Sequence, residues 1–568
     1  MSRSCFRVRL LALAACAALA GRAQTYDQVA PKTPPVAPVA LPAPALPAAG
    51  DDDRVLVPAL SGLSFLADKS AFRSEGVSTP GLHVSGEVLL ETGEFTALVT
   101  PYLGRPLTQR LLNQLTRDVV LYFRQHGRPV VDVLVPEQNI SSGNVQILVV
   151  EGHLGQVRVE GSKWFTDAQI SAAVRAPRGE IIEGAPLLED MTWINRNPFR
   201  QTDLVFMRGE QPGETDVVLR TRDRYPLRVY LGYEDSGNAL TGYDRVLAGV
   251  NWGNAFGLDQ QLNYQLTASP DFKKLVAHSG SYIIPIPSLR DTLTFFGSYA
   301  ESQPELEGGF FDLTGRSWQV SARYQVPLVA RGGWTSEFTG GVDFKRSNNN
   351  LSFGGTQVFA EETDVVQAIL ALSTRHADKR GTTTAELTVA LSPGGLTDGN
   401  HTAPYQIARA GARPDYAYAL LEIERVTNLP HGWSWLVRGT GQLASTNLLG
   451  SEELGLGGAR SLRGYEDREA NGDDGLVLVN ELHGPLLRVI ADGRLDPLVF
   501  FDCGVVASHD PLPAEPSHLD LASAGVGLRY NLGGHFSLRA DYGWQLKDSG
   551  VSDGRRDSRG HISVVLSY

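Results

Sequence analysis

Cysteine is nearly missing. Three occur in 568 residues, at Cys5, Cys16 and Cys503. The first two fall in an N-terminal stretch that reads as a cleaved leader, which leaves one thiol. A lone thiol forms no internal disulfide and no cysteine-based zinc site. Also missing is a run of about 20 apolar residues, the length a membrane-spanning helix requires; the Leu10–Ala20 run is too short. Positive charge is in deficit: 51 Lys and Arg stand against 63 Asp and Glu, a formal charge of -12 that becomes -16 without the four leader arginines. An acidic, exported chain argues against nucleic acid as a partner. His431, His483, His535 and His561 are scattered without metal-ligand spacing. "GLGGAR", from Gly455, lacks the βαβ setting and the lysine of a phosphate loop. No Ser-His-Asp order is recognisable. No metal, cofactor or enzymatic activity is therefore expected.

What is present begins with "MSRSCFRVRLLALAACAALAGRAQTYD". Arg3, Arg7 and Arg9 precede the apolar run, and Gly21 and Ala23 supply small residues before Gln24. Basic, apolar and small-residue regions in that order predict a secretory signal over residues 1–23. A lipobox-like "LAAC" ends at Cys16, but cutting there leaves too short an apolar region, so ordinary cleavage is favoured. Residues 24–54 hold a Pro/Ala-rich stretch that cannot bury a core and is read as a linker. Residues 55–82, beginning "VLVPALSGLSFLAD", are read as a plug or as a lead-in to the next module.

Two similar units follow, at 83–153 and 154–225. In the first, "VSGEVLL" alternates, "TQRLLNQLTRDVVLYFRQHG" has helical period with Leu111, Leu115, Val119 and Tyr122 on one face, and "PVVDVLVPEQ" and "NVQILVVEG" read as strands. In the second, "GQVRVEGS" leads two helical stretches and two more strands. The order β-α-α-β-β thus occurs twice, an internal repeat of small α/β modules.

From residue 226 to 568 the pattern is strands only. "DQQLNYQLTA" sets Leu262, Tyr264 and Leu266 against Gln261, Asn263, Gln265 and Thr267. "HFSLRADYGW" sets Phe536, Leu538, Ala540, Tyr542 and Trp544 against Ser537, Arg539, Asp541 and Gly543. The chain ends "HISVVLSY", with Tyr568 as its terminal aromatic. An antiparallel sandwich with one wet face would also alternate. The charged residues on the polar face, the aromatic ends of the apolar face and 343 residues without a helix argue instead for a transmembrane barrel of about 16 antiparallel strands.

Modules and barrel together resemble the two-partner secretion transporters of the ShlB/FhaC/HecB type, outer-membrane barrels with periplasmic POTRA modules. "RPVVDVLVPEQNISSGNVQILVVEGHLGQVRVEGS" looks like that family's first POTRA, and "NRNPFRQTDLVFMRGEQPGETDVVLRTRDRYPLRVYLGYEDSG" like its junction into the barrel. "GGARSLRGYEDREANGDDGLVLVNEL", between strands eleven and twelve by sequence count, carries the family's loop motif as Leu462, Arg463, Gly464 and Tyr465. The barrel-wall motif Phe-x-Asp-x-Gly stands as Phe500, Asp502 and Gly504.

The resemblance implies that Arg463 meets Asp502 inside the barrel. The residues agree, since a guanidinium in a partly desolvated lumen needs a carboxylate. It also implies a protein translocator in the outer membrane of a Gram-negative bacterium. Its partners would be a secreted adhesin- or cytolysin-like exoprotein bound by the modules and the surrounding lipid. Periplasmic chaperones and the barrel-assembly machinery would serve its own insertion. A barrel-assembly factor of the same superfamily is the alternative reading, and a passive porin a third.

Overall fold

A computed structural model describes residues 26–35, 41–42, 52–211, 213–239, 241–303, 311–353, 356–489, 493–513, 515–550 and 557–568. The leader and most of the linker lie outside the described residues. The chain forms two compact units. One joins the described residues up to Thr33, including the short helix α1 (Tyr26–Val29), to Leu227–Tyr568; the other is Pro34–Pro226.

The Pro34–Pro226 unit holds two α/β modules. In the first, four strands make one sheet: β1 (Gly62–Leu66), β2 (Gly81–Ser85), β3 (Val131–Leu134) and β4 (Asn144–Glu151), in the order β2-β1-β4-β3. Helices α2 (Gly93–Val99) and α3 (Gln109–Gln125) cover it. Each helix starts where a threonine accepts an otherwise unpaired N–H: Thr92 from Phe95 and Thr108 from Leu111, both at 3.1 Å. The stripe Leu111, Leu115, Val119 and Tyr122 is buried. It packs toward Phe65 and Phe95, whose rings meet edge-on at 4.9 Å. Burial of each such side chain contributes about 1.5–3 kcal/mol.

One element of this module differs from the sequence reading. Val84–Leu90 was expected as the leading strand, yet the extended segment stops at Ser85 and turns follow. Gly62–Leu66, from the stretch read as plug or lead-in, lies parallel to the last strand β4. β1 carries no alternation because Gly62, Leu63, Ser64 and Phe65 are all buried, side chains of both faces alike.

The second module keeps the expected β-α-α-β-β order: β5 (His153–Glu160), α4 (Asp167–Ser171), α5 (Gly184–Ile194), β6 (Arg200–Arg208) and β7 (Glu214–Asp223). Its sheet order is β5-β7-β6, with β5 parallel to β7. Arg128 ties the modules together, 2.8 Å from Glu151 and 2.5 Å from Glu183.

The other unit is a closed antiparallel barrel of sixteen strands, β8 (Leu227–Glu234) to β23 (Ser558–Ser567), with Leu487–Val489 sharing the position and partner of the twelfth strand. Its first and last strands pair directly, Tyr230 with Ser567 through Glu234 with Ser563, so the sheet has no free edge. The burial pattern inverts that of a water-soluble sandwich. Asn263, Gln265, Ser279, Gln367 and Asp541 are buried, while Leu231 is 63% and Val342 58% exposed. Polar atoms face a lumen and apolar ones the surroundings, as strands crossing lipid demand. No described helix is long and apolar enough to cross a membrane.

Two outcomes follow for the modules. Phe65→Ala should remove about 3–5 kcal/mol, lowering the urea midpoint of the modules in detergent-held protein at urea concentrations that leave the barrel folded. Glu151 supplies a pH test. Burial, then the Glu87 carboxylate, push it up to about 7 against the opposing pull of Arg128. A carboxyl with a raised folded-state pKa binds its proton more tightly folded than unfolded, so its stabilising share is complete below 4.5 and lost as pH rises through about 7. The module midpoint should fall across that window, and Glu151→Gln should flatten the fall.

Candidate functional site: the loop inside the barrel

The eleventh strand, β18 (Ser434–Ala444), and the twelfth, β19 (Asp474–His483), are joined by residues 445–473. Odd-numbered strands run away from the end where β8 begins, so this loop starts at the opposite mouth. It returns into the lumen as a small hairpin, Leu454–Leu456 against Ala470–Gly472. Leu456, Leu462, Tyr465 and Ala470 bury themselves against Val477, Val479, Val506 and Leu521 of the wall. β19 is therefore apolar on both faces, Leu476 and Leu478 outward and Val477 and Val479 beneath the loop.

Arg463 lies at the tip and is 1% exposed. Its Nε and Nη2 each donate to Asp502, on β20 (Gly493–Ala507), at 2.8 Å, and its backbone N–H adds a third bond at 3.3 Å. Nη1 donates to Glu481 at 2.5 Å and stands 3.7 Å from Asp541. The guanidinium carbon sits 3.7 Å above the Phe500 ring centre. Such a fork-on-carboxylate pair has both charge and planar geometry matched. Removing one member would leave the other charged and buried, at a cost of about 3–5 kcal/mol.

The pair is the centre of a larger network. Arg529 and Arg539 each reach Asp541 at 2.8 Å, so Arg463, Arg529 and Arg539 balance Asp502, Glu481 and Asp541. His483 bridges Glu481 and Asp496 at 2.9 Å each. Positive φ and close approach explain the glycine beside Arg463. Gly464 has φ +93°, and a Cβ there would lie 3.0 Å from the Gly543 carbonyl oxygen. Gly543, on β22 (Phe536–Gln545), is equally hemmed in by the Gly464 amide. The Gly464 N–H donates to His561 Nε2 at 3.2 Å and its carbonyl accepts from Gln545 at 2.6 Å. The Tyr465 hydroxyl lies 2.7 Å from the Ala522 carbonyl and 2.6 Å from that of Lys547. At Gly504 a Cβ would crowd Leu456 and Leu462, so the missing side chain makes room for the tip.

Tyr568 sits elsewhere, at the closing seam. Its amide donates to the Val229 carbonyl at 2.9 Å and its ring is 92% exposed.

The base of the loop has two further latches that sequence reading did not single out. Glu452 meets Lys345 at 2.8 Å, and Gln367 and Tyr418 at 3.1 Å. Arg409 follows helix α6 (Thr402–Ala408), an element that the strands-only reading of 226–568 does not predict, and reaches Asp473 at 2.5 and 3.1 Å and Glu453 at 3.0 Å. Each residue is ordinary in its own segment, and only tertiary pairing distinguishes it.

The lumen also holds a piece of the stretch read as linker. The Tyr26 ring packs against Phe296 at 4.6 Å, and the Val29 carbonyl accepts from Gln265 at 3.1 Å and Ser279 at 2.5 Å. Gln28 donates to Asp467, and Arg460 to the Asp27 carbonyl, so this segment touches the loop itself. Lys32 pairs with Glu234 at 2.8 Å. A cavity of about 940 Å³ remains, lined by Asp27, Lys32, Glu337, Lys345, Glu386 and Glu422 among others. Of the two readings of residues 55–82, plug or lead-in, the lead-in accords with Gly62–Leu66 lying in the first module's sheet.

Comparison with known proteins bears on the same regions. A family model described as haemolysin secretion/activation protein ShlB/FhaC/HecB matches residues 213–530, and one described as POTRA domain, ShlB-type, matches residues 79–152. The outer membrane transporter CdiB of Dickeya dadantii is 24% identical over 474 residues, 81% of each chain. The heme/hemopexin transporter protein HuxB of Haemophilus influenzae is 23% identical over 461 residues, 79% of each. The solved structure of CdiB from Escherichia coli superposes with a TM-score of 0.70 at 20% identity, covering 95% of this chain and 94% of that one. That last likeness is one of fold.

The glycine contact gives a test free of charge effects. Gly543→Ala should push the tip off the wall while leaving every ion pair's residues in place. The expected readouts are a raised conductance in planar bilayers and new protease cleavage within 445–473, with heat-modifiable mobility of the barrel unchanged.

Proposed function

The chain belongs to the haemolysin secretion/activation family ShlB/FhaC/HecB, and from that premise we propose how its parts carry an exported protein across the outer membrane. The family's barrels are outer-membrane transporters of two-partner secretion with their POTRA modules in the periplasm. The exported partner of this chain is an adhesin- or cytolysin-like protein that arrives unfolded. The modules receive it first. Strand β6 stands at the edge of the second sheet, with Gln201 and Asp203 exposed, and its backbone can take up an added extended segment. Main-chain hydrogen bonds then supply affinity with little demand on sequence.

The observation that carries the proposal is the buried Arg463–Asp502 pair at the tip of a loop lying in the lumen. A permanently open passage of this width would leak, and sixteen strands enclose enough room for an aqueous channel. In the resting state the loop and the Tyr26–Lys32 segment occupy that room. Passage of the partner requires Tyr26–Lys32 to leave and the loop to shift. Contacts between the two, Gln28 with Asp467 and Arg460 with Asp27, couple the movements. Arg463 then acts as the tether that restores the closed arrangement. No phosphate-binding motif supplies energy, so folding of the partner outside the cell pulls the chain through.

Arg463→Ala and Asp502→Ala each should cut the amount of exported partner in the medium while the barrel still assembles, as judged by heat-modifiable mobility in the membrane fraction. Normal export by both variants would sink the tether role.

A further inference from the structure

The second module carries an exposed aromatic and basic tip that its export role does not use. Trp164 is 48% and Tyr225 58% exposed, and their rings meet edge-on at 4.9 Å. Both sit at one end of the sheet for a topological reason. β5 runs parallel to β7, with Glu160 beside Arg220, so the turn after β5 and the tail of β7 project from the same end. β6 is antiparallel to β7, with Arg200 opposite Asp223, which brings its start to that end as well. This is the end from which the chain leaves the module. Tyr225 stands two residues before Leu227, a span of at most about 7 Å. Leu227 is the first outward-facing apolar residue of the barrel and is followed on the same face by Val229 and Leu231.

Two basic side chains flank the aromatic pair in sequence, with the acids Asp167 and Asp223 engaged in hydrogen bonds of the same turn. Lys163 and Arg224 are exposed beside it. Asp223 has one oxygen that accepts the backbone N–H groups of Lys163, Trp164 and Phe165 at 2.8, 2.6 and 3.2 Å. Those three bonds also hold the turn rigid, so Trp164 is presented and not left to collapse onto the module. The Arg224 side chain is aimed by its stack over Phe199 at 4.8 Å.

Trp and Tyr favour the headgroup level of a bilayer because an apolar ring and a polar N–H or O–H can each find their own medium there. Lys and Arg beside a membrane segment add attraction to anionic headgroups. We propose that Trp164 and Tyr225, with Lys163 and Arg224, insert into the periplasmic headgroup layer of the outer membrane. This contact anchors the second module to lipid.

The test uses the full protein in nanodiscs of phosphatidylcholine and phosphatidylglycerol, with acyl chains either unmodified or brominated near the headgroup. Tryptophan emission of the wild type is compared with that of Trp164→Phe, so that the difference reports Trp164 alone among eight tryptophans. In plain discs that difference should be a blue-shifted band, and bromination should quench it. Lys163→Glu with Arg224→Glu should diminish the quenching in phosphatidylglycerol-containing discs. Heat-modifiable mobility checks that each variant's barrel is intact. An unshifted Trp164 band that bromination leaves unchanged overturns the proposal. So does a Trp164 band that shifts only when a secretion segment of an exported partner is added, because the tip would then be a protein-binding surface.

Discussion

A guanidinium held away from water must find its neutralising charges in the protein, and Arg463 finds them on three different strands. Asp502, Glu481 and Asp541 come from β20, β19 and β22. Their arrangement around one point sets the position of the loop tip, and through it that of the hairpin behind. The hairpin in turn covers Val477, Val479, Val506 and Leu521, apolar residues that would otherwise line a wet lumen. A small core thus exists inside the barrel because one arginine is anchored there. The charges also set the balance between holding and release: a network of three cations and three anions is well compensated when assembled and costly when half taken apart.

The outer constraint is lipid. Backbone groups crossing hydrocarbon need partners within the sheet, which forces closure and turns the usual burial pattern inside out. The lumen then receives the polar half of most strands, the twelfth excepted. A loop that enters it meets carboxylates and amides around the apolar patch beneath its hairpin, so the loop's own charged residues find partners at its tip and at its base. Glu452 on Lys345, and Asp473 on Arg409, hold the two ends of the loop in place. The tip can shift only as far as these latches and the hairpin allow.

Much of this was legible before any coordinates. Alternation in "DQQLNYQLTA" and "HFSLRADYGW" fits the buried Asn263 and Asp541 and the exposed Tyr264 and Tyr542. The helical stripe of Leu111, Leu115, Val119 and Tyr122 is the one α3 buries. Two segments gave no readable period, each for its own reason. Gly62–Leu66 is covered on both faces and so carries no period to read. Tyr26–Lys32 is too short and too mixed for a periodic signal, and its place is set by contacts with Gln265, Ser279, Glu234 and Asp467, all remote in sequence.

The sequence alone determined the kind of strand, the number of passes and the presence of two repeated modules, because side-chain alternation and turn chemistry are local properties of the backbone. It also carried the Arg-Gly-Tyr and Phe-x-Asp-x-Gly pieces in order. Only the tertiary structure decided which carboxylates gather on Arg463, that Gly464 needs Gly543 opposite it, and which N-terminal residues occupy the lumen. Those outcomes depend on strand register and barrel closure, which bring together groups 39 and 97 residues apart. Local period says which face a residue takes; only the closed sheet says what stands across from it.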